Sequence, residues 1–145
     1  MVSSLASGVI STSDTLTASV CVPGELVWSD EFDGTALNTE YWTHSTGDGD
    51  AVTGPGWGND ELQVYTTDAV AVDGGALKIT ANGSPGAYTS GRINSQGKFE
   101  FMYGTLEASI KIPDLLGGLW PALWMMGTSY GTVEWPNAGK CFVRV

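Results

Sequence analysis

Aromatic side chains crowd the segment 117–139, which reads GGLWPALWMMGTSYGTVEWPNAG. An aromatic ring presents a negative face that packs well against the C–H groups of a sugar ring. Trp120 and Trp124 are four residues apart, so on a regular strand they would share one face. A sugar-binding cleft and a plain hydrophobic core would both use this arrangement. Trp135 stands beside Pro136, where the edge of a cleft and a structural wedge are equally good interpretations.

Four further residues have side chains suited to sugar recognition. Trp57 lies in the glycine-rich loop 44–58, which offers little for it to pack against locally and so favours a ligand platform. Arg92 has five N–H donors that suit sugar hydroxyls, with a salt bridge to one of many acids as the alternative. Asn59 both donates and accepts, although asparagine beside glycine also serves turns. Glu61 either binds sugar or stays in solvent.

The charge of the chain excludes two classes of partner. Sixteen acidic residues against six basic ones give a net charge of −10. Nucleic acid and anionic membranes require basic patches, whereas a neutral polysaccharide is compatible with this charge. The sequence contains no apolar stretch long enough to span a membrane. The chain has two cysteines, Cys21 and Cys141, which could form a disulfide bond in an oxidising compartment.

Short strands separated by turns are expected to position these residues. The segment 105–112 alternates most clearly, with its leucine, alanine and isoleucines on one face. Further strands are predicted over 26–32, 61–65 and 76–80, with one or two within 91–103 and turns at 33–34, 73–75 and 82–86. Since no segment has convincing helical periodicity, the chain is predicted to be all-β, an antiparallel β-sandwich or jelly roll.

Four sequence blocks, taken in order, resemble glycoside hydrolase family 16, the laminarinase and β-glucanase family. They are LVWSDEF at 26–32 (with Phe32 as a core anchor), GWGNDELQ at 56–63, the stretch from SGRI through YGTLEA at 90–108, and GLWPALWMM at 118–126. The resemblance covers about 25–139. It implies a concanavalin-like jelly roll that is incomplete, represented here by its N-terminal half. A flexible Ser/Thr-rich segment, 1–24, is expected before it and an aberrant tail, 140–145, after it.

The resemblance also implies an activity and the residues behind it. Family members cleave internal β-1,3- or mixed-linkage β-glucan bonds with two carboxyl groups about 5–5.5 Å apart. These groups belong to a Glu-x-Asp-x-x-Glu strand, where this chain has Lys140, Phe142 and Val145. We therefore expect a truncated family member without catalytic residues of its own. The alternatives are a non-catalytic β-glucan-binding module and a fragment that does not fold stably. The resemblance assigns glucan binding to Trp57, Asn59, Arg92, Trp120, Trp124 and Trp135.

A metal site and a location follow from the same resemblance. Family members often carry a structural calcium on the face away from the cleft, and the matching ligands are the main-chain carbonyls of Glu31 and Gly75. The aspartate that completes the ligand set has no counterpart in this sequence, so the site is expected to be incomplete. No cofactor is required. The expected partner is β-glucan, and the expected location is extracellular.

Overall fold

Short strands make up almost all of the regular structure. The computed structural model describes residues 2–6, 24–114, 117–132 and 141–144. Two single-turn 3-10 helices, Gly56–Gly58 and Thr67–Ala69, are the helical elements in these ranges. No helix there is long and apolar enough to cross a membrane. The predicted all-β class is confirmed. The strands in these ranges are β1 (Val2–Ala6), β2 (Trp28–Asp30), β3 (Thr43–His44), β4 (Gly49–Asp50), β5 (Gly54–Pro55), β6 (Gln63–Tyr65), β7 (Val70–Val72), β8 (Leu77–Ile79), β9 (Asn82–Ser84), β10 (Ala87–Ser90), β11 (Ile93–Asn94), β12 (Gly104–Ala108), β13 (Trp124–Gly127) and β14 (Cys141–Arg144).

The strands are arranged in three larger sheets and two hairpins. The sheet orders are β12-β1-β2, β6-β10-β9 and β13-β14-β11-β3, and the hairpins are β4–β5 and β7–β8. Among the described strands, pairing is antiparallel except between β6 and β10, which run parallel. The β7–β8 hairpin lies in the chain between those two strands. The chain segment between β6 and β10 thus provides the long crossover connection that a parallel pair of strands requires.

Both ends of the chain contribute a strand. β1 lies between β12 and β2 and pairs with each of them. All five residues pair with β12, and the first three also pair with β2. They therefore differ from the expectation that segment 1–24 is flexible, because these partners satisfy main-chain hydrogen-bonding groups. β14 pairs with β13 in the region expected to be an aberrant tail, 140–145. The proposed domain limits, 25–139, stay a prediction.

The strands are shorter than the sequence predicts. The segments 26–32, 61–65 and 76–80 contribute only β2, β6 and β8. β12 ends at Ala108 instead of reaching residue 112, and Ile110 and Ile112 are 55% and 54% exposed. Its partner β1 begins opposite Ala108, at Val2. The alternation of residue types thus continues in the sequence beyond the point where strand pairing stops.

Aromatic side chains dominate the hydrophobic core. Trp28 stacks on Phe99 with ring centroids 4.7 Å apart, and the fully buried Trp42 donates from Nε1 to Asp30 Oδ2 at 2.8 Å. The predicted role of Phe32 as a core anchor is confirmed, since it is 4% exposed. The buried members of the core are Trp28, Phe32, Trp42, Val72, Ile93 and Phe101.

This core orients the residues around β11. Ile93 is fully buried in it. Neighbouring residues of a strand point to opposite faces. Arg92 and Asn94 are thereby directed to the other face of the sheet, where both are nonetheless buried.

Gly91 brings the chain that carries Arg92 close to β7. A Cβ atom on Gly91 would lie 2.5 Å from Val70 Cγ2 and 3.1 Å from the carbonyl oxygen of Ala69. We expect Gly91→Ala to lower the free energy of unfolding by about 1–3 kcal/mol, as overpacking does, in urea unfolding followed by tryptophan fluorescence. Gly34→Ala is the matched control, because its Cβ would meet nothing closer than 3.6 Å. Equal effects of the two substitutions would contradict this account of Gly91.

Candidate functional site

Arg92 lies at the centre of the site and is 8% exposed. The main-chain N–H of Ser45 donates to its carbonyl oxygen at 2.9 Å, which fixes the backbone of Arg92 against the residue after β3. The guanidinium Cζ lies 4.2 Å from the ring centroid of Trp57, 5.5 Å from that of Tyr65 and 5.7 Å from that of Trp124. Three aromatic rings therefore surround one cation, at distances where cation–π attraction operates.

Trp57 forms one wall of this site. It lies in the turn Gly56–Gly58 with a φ of 51°, in the left-handed region that costs free energy for a residue with a Cβ. Its indole Nε1 donates to the carbonyl of Gly47 at 3.4 Å. Trp57 is 5% exposed. Arg92 and Tyr65, which lie outside the loop 44–58, pack against its ring and bury it. Its predicted role as a ligand platform stays a prediction.

Glu61 is the acidic side chain beside the guanidinium. Its Oε1 lies 3.7 Å from Arg92 Nη1, which is too far for a hydrogen bond. Asn59 Nδ2 donates to Oε1 at 3.1 Å, while Gln63 Nε2 and the Tyr65 hydroxyl donate to Oε2 at 2.9 Å and 2.6 Å. Neutral donors therefore hold the carboxylate. Arg92 Nε is buried without a hydrogen-bond partner in the described part of the chain.

Gln63 and Tyr65 are members of the site that were not singled out from the sequence. The signal was available, because side chains two apart on a strand share a face and polar residues occupy positions 61, 63 and 65. Burial raises the pKa of the Tyr65 hydroxyl, and its hydrogen bond to Glu61 raises it further. Tyr65 therefore stays protonated at neutral pH and acts as a donor.

Asp50 ties the loop that carries Trp57 to the turn after β13. Its carboxylate accepts from the main-chain N–H groups of Val52 and Thr53 at 2.9 Å and 2.8 Å, and from the Tyr130 hydroxyl at 3.0 Å. Burial opposes ionisation of Asp50, but these hydrogen bonds outweigh it and lower the pKa of the carboxyl group. Asp50 is thus a charged acceptor that joins two loops at the edge of the site.

The structure separates the tryptophans predicted for the C-terminal part of the site. Trp124 begins β13, is 37% exposed, and faces the guanidinium of Arg92. Trp120 lies before the strand and is 91% exposed. The expectation that these two share a strand face is wrong, because β13 starts only at Trp124. Trp135 lies outside the described residues, and its role stays a prediction.

The site thus combines an aromatic face with fixed polar groups. Of the residues predicted from the sequence, Trp57, Arg92 and Trp124 lie together, and Asn59 joins them through Glu61. A partly exposed indole offers stacking, while guanidinium and amide groups offer hydrogen bonds to hydroxyls. Glu61 is the one carboxylate among the described contacts of Arg92. This arrangement is suited to binding a ring that carries hydroxyl groups.

The predicted calcium ligands follow β2, at Glu31, and precede β8, at Gly75. Asp33 Oδ1 is 3.9 Å from the position that a Cβ on Gly75 would take. Across the described ranges, no three or more His, Cys, Asp or Glu side chains group together to hold a metal. The predicted ligands, however, are the main-chain carbonyls of Glu31 and Gly75, so the calcium site stays a prediction.

Solved structures with this architecture share its sequence as well. The laminarinase from Flavobacterium sp. UMI-01 matches with a TM-score of 0.72 and 45% identity, over 80% of this chain and 49% of that one. The glycoside hydrolase family 16 endo-glucanase from Bacteroides ovatus matches with a TM-score of 0.63 and 41% identity, over 77% of this chain and 44% of that one. Fold and sequence together define a family 16 jelly-roll domain, as the resemblance predicted.

A family profile matches the chain as well. The profile described as "Beta-glucan synthesis-associated protein SKN1/KRE6/Sbg1" matches residues 11–132, and the chain belongs to this family. The "Beta-glucanase" of Rhodothermus marinus is 41% identical over 125 residues, which make up 80% of this chain and 41% of that protein. The chain spans less than half the length of each of these relatives.

Proposed function

We propose that this chain binds β-glucan at the Arg92 site and does not itself hydrolyse it, as a member of a β-glucan endo-hydrolase family. Relatives named β-glucanase and laminarinase support β-glucan as the ligand. The observation that carries the proposal is the partly exposed ring of Trp124, 5.7 Å from the guanidinium of Arg92. A sugar ring stacked on this indole would place its hydroxyls within reach of the guanidinium donors.

The surroundings of Arg92 favour a neutral ligand. Trp57 and Tyr65 hold the guanidinium in place before any ligand arrives, so little side-chain entropy remains to be lost on binding. The nearby carboxylate of Glu61 partly compensates the positive charge. Hydroxyl groups can accept hydrogen bonds from such a site without bringing a counter-charge. An anionic sugar would instead meet the carboxylate of Glu61 beside Arg92 and a chain with a net charge of −10.

Hydrolysis is not proposed for this chain because Glu61 is the one carboxylate beside Arg92 among the described residues. Retaining glycosidases place two carboxyl groups about 5–5.5 Å apart, one as nucleophile and one as acid/base. Glu61 already accepts hydrogen bonds from Asn59, Gln63 and Tyr65. The positions that match the catalytic strand of the family carry Lys, Phe and Val. None of these side chains can act as a carboxylate nucleophile.

Two assays on the purified chain test the proposal. Co-sedimentation with insoluble β-1,3-glucan is expected to retain the wild type, and Trp124→Ala is expected to weaken binding roughly tenfold through loss of stacking. Tyr103→Ala serves as the matched control, since Tyr103 is exposed and lies next to β12. Incubation with soluble laminarin is expected to release no reducing sugar.

The alternatives give different results in the same assays. Release of reducing sugar by the wild type would show that the chain is catalytic and would overturn the second half of the proposal. Lack of retention together with non-cooperative thermal unfolding would identify a fragment that does not fold stably. A cooperative transition that shifts upward with soluble glucan would support a binding module, because a ligand that binds only the folded state stabilises it. An extracellular location stays a prediction.

A further inference from the structure

Tyr65 contacts four different parts of the site through its main chain, its ring and its hydroxyl group. Its main chain exchanges two hydrogen bonds with Gly47, at 2.8 Å and 2.9 Å. Its ring lies edge-on to Trp57 with centroids 5.5 Å apart, and 5.5 Å from the guanidinium carbon of Arg92. Its hydroxyl donates to Glu61. Tyr65 therefore connects the loop, the aromatic wall, the cation and the carboxylate.

The hydroxyl of Tyr65 makes the shortest hydrogen bond of the group. It lies 2.6 Å from Glu61 Oε2, within the range of charge-assisted O–H···O⁻ bonds. Gln63 Nε2 donates to the same Oε2 and to the Tyr65 hydroxyl, both at 2.9 Å. Because Oε2 is fixed in this way, Oε1 is oriented toward Asn59 and Arg92. The Tyr65 hydroxyl, together with Gln63, thus fixes the carboxylate that accepts from Asn59 and lies beside Arg92.

We infer that Tyr65 is a positioning residue, whose hydroxyl fixes the Glu61 carboxylate and thereby holds Asn59 and Arg92 in the orientation that binds glucan. This inference rests on the proposed function, since it concerns the same site. The role belongs to the hydroxyl group, because the ring alone would still pack against Trp57 and Arg92.

The inference predicts a particular pH dependence. The charged groups that face the hydroxyl are Glu61, from the segment before β6, and Arg92, from the segment before β11. Burial and the hydrogen bond to Glu61 raise the pKa of Tyr65 above its ordinary value of 10.0. Once ionised, the phenolate has no proton to donate and repels the carboxylate. Glucan affinity is therefore expected to be full at neutral pH, where Tyr65 is protonated, and to be lost as the pH rises through its raised pKa.

The test compares the wild type with Tyr65→Phe, each as the 145-residue chain. Isothermal titration with soluble laminarin is expected to show roughly tenfold weaker binding by Tyr65→Phe, as for loss of a hydrogen bond to a charged group. The wild type is expected to lose affinity in the alkaline range, while Tyr65→Phe is expected to lack this loss. Tyr103→Phe, the exposed control, should keep both the wild-type affinity and the wild-type pH profile.

The outcomes separate this inference from the proposed function. If the wild type binds laminarin and Tyr65→Phe binds equally well with the same alkaline loss, Tyr65 is not a positioning residue and the proposed function stands. If the folded wild type binds no laminarin, the proposed function fails and the inference fails with it. Should Tyr65→Phe not fold, the wild-type profile decides, since unchanged affinity of the folded chain through the tyrosine titration overturns the inference.

Discussion

Replacing Arg92 by alanine is expected to abolish retention on insoluble β-glucan and to weaken binding of soluble laminarin by at least about 30-fold, the level of a binding hot spot. The substitution removes the guanidinium donors and the group that supports both Trp57 and Trp124. It also leaves the carboxylate of Glu61 without its neighbouring cation. Isothermal titration measures the affinity, and circular dichroism shows whether the variant remains folded.

Two further variants show whether geometry or charge is responsible. Arg92→Lys keeps the charge but loses the planar fork of donors, so only partial recovery of affinity is expected. Lys78→Ala is the matched control, because Lys78 is an exposed cation that pairs with Asp73 on the β7–β8 hairpin. Wild-type affinity in a folded Arg92→Ala variant would exclude Arg92 from the binding site.

Local features of the fold could be predicted from the sequence. The turn at 73–75 connects β7 to β8, with Gly74 and Gly75 at φ of 62° and 71° and the Asp73 N–H donating to Ala76 at 3.0 Å. Glycine adopts such angles without a steric penalty, so the residue types alone indicate the turn. The anchoring role of Phe32 followed from the resemblance of LVWSDEF at 26–32 to the opening strand of the family, and its burial confirms it.

Features that depend on distant partners could not be predicted in the same way. β1 is a strand because β12 and β2 provide two edges, and neither edge can be seen in the Ser/Thr-rich sequence around it. β12 ends at Ala108, opposite the first residue of β1, although its residue alternation continues in the sequence. Strand length is set by the partner as much as by the segment itself.

The site shows the same division between local and distant causes. Arg92 could be recognised because a cation is rare in this chain and lies on a predicted central strand. The burial of Trp57 could not be recognised from the sequence, because Arg92, which covers its ring, comes from a distant part of the chain. Trp120 and Trp124 have the right spacing for a shared face, but only Trp124 has a neighbouring strand to pair with. Spacing predicts a common face only where the backbone is extended and paired.

Replacing Trp42 by alanine is expected to remove the cooperative unfolding transition. Trp42 is fully buried, and its ring lies 5.7 Å from Trp28 and 6.1 Å from Phe32. Truncation of a buried tryptophan costs about 3–5 kcal/mol, a large part of the roughly 5–15 kcal/mol that stabilises a typical domain. The variant also leaves Asp30 Oδ2 without the indole N–H that donates to it at 2.8 Å. Thermal unfolding by circular dichroism measures the result.

Comparison with two other substitutions links this core to the binding site. Trp42→Phe keeps one aromatic ring in the core and loses the hydrogen bond and part of the indole volume, so a smaller loss of stability than for alanine is expected. Trp120→Ala should leave the transition unchanged, because Trp120 is 91% exposed. Since the core that contains Trp42 also anchors Ile93 beside Arg92, Trp42→Ala should lose stability and glucan binding together. Arg92→Ala should instead lose binding while the chain stays folded, and a cooperative, glucan-binding Trp42→Ala variant would refute this dependence.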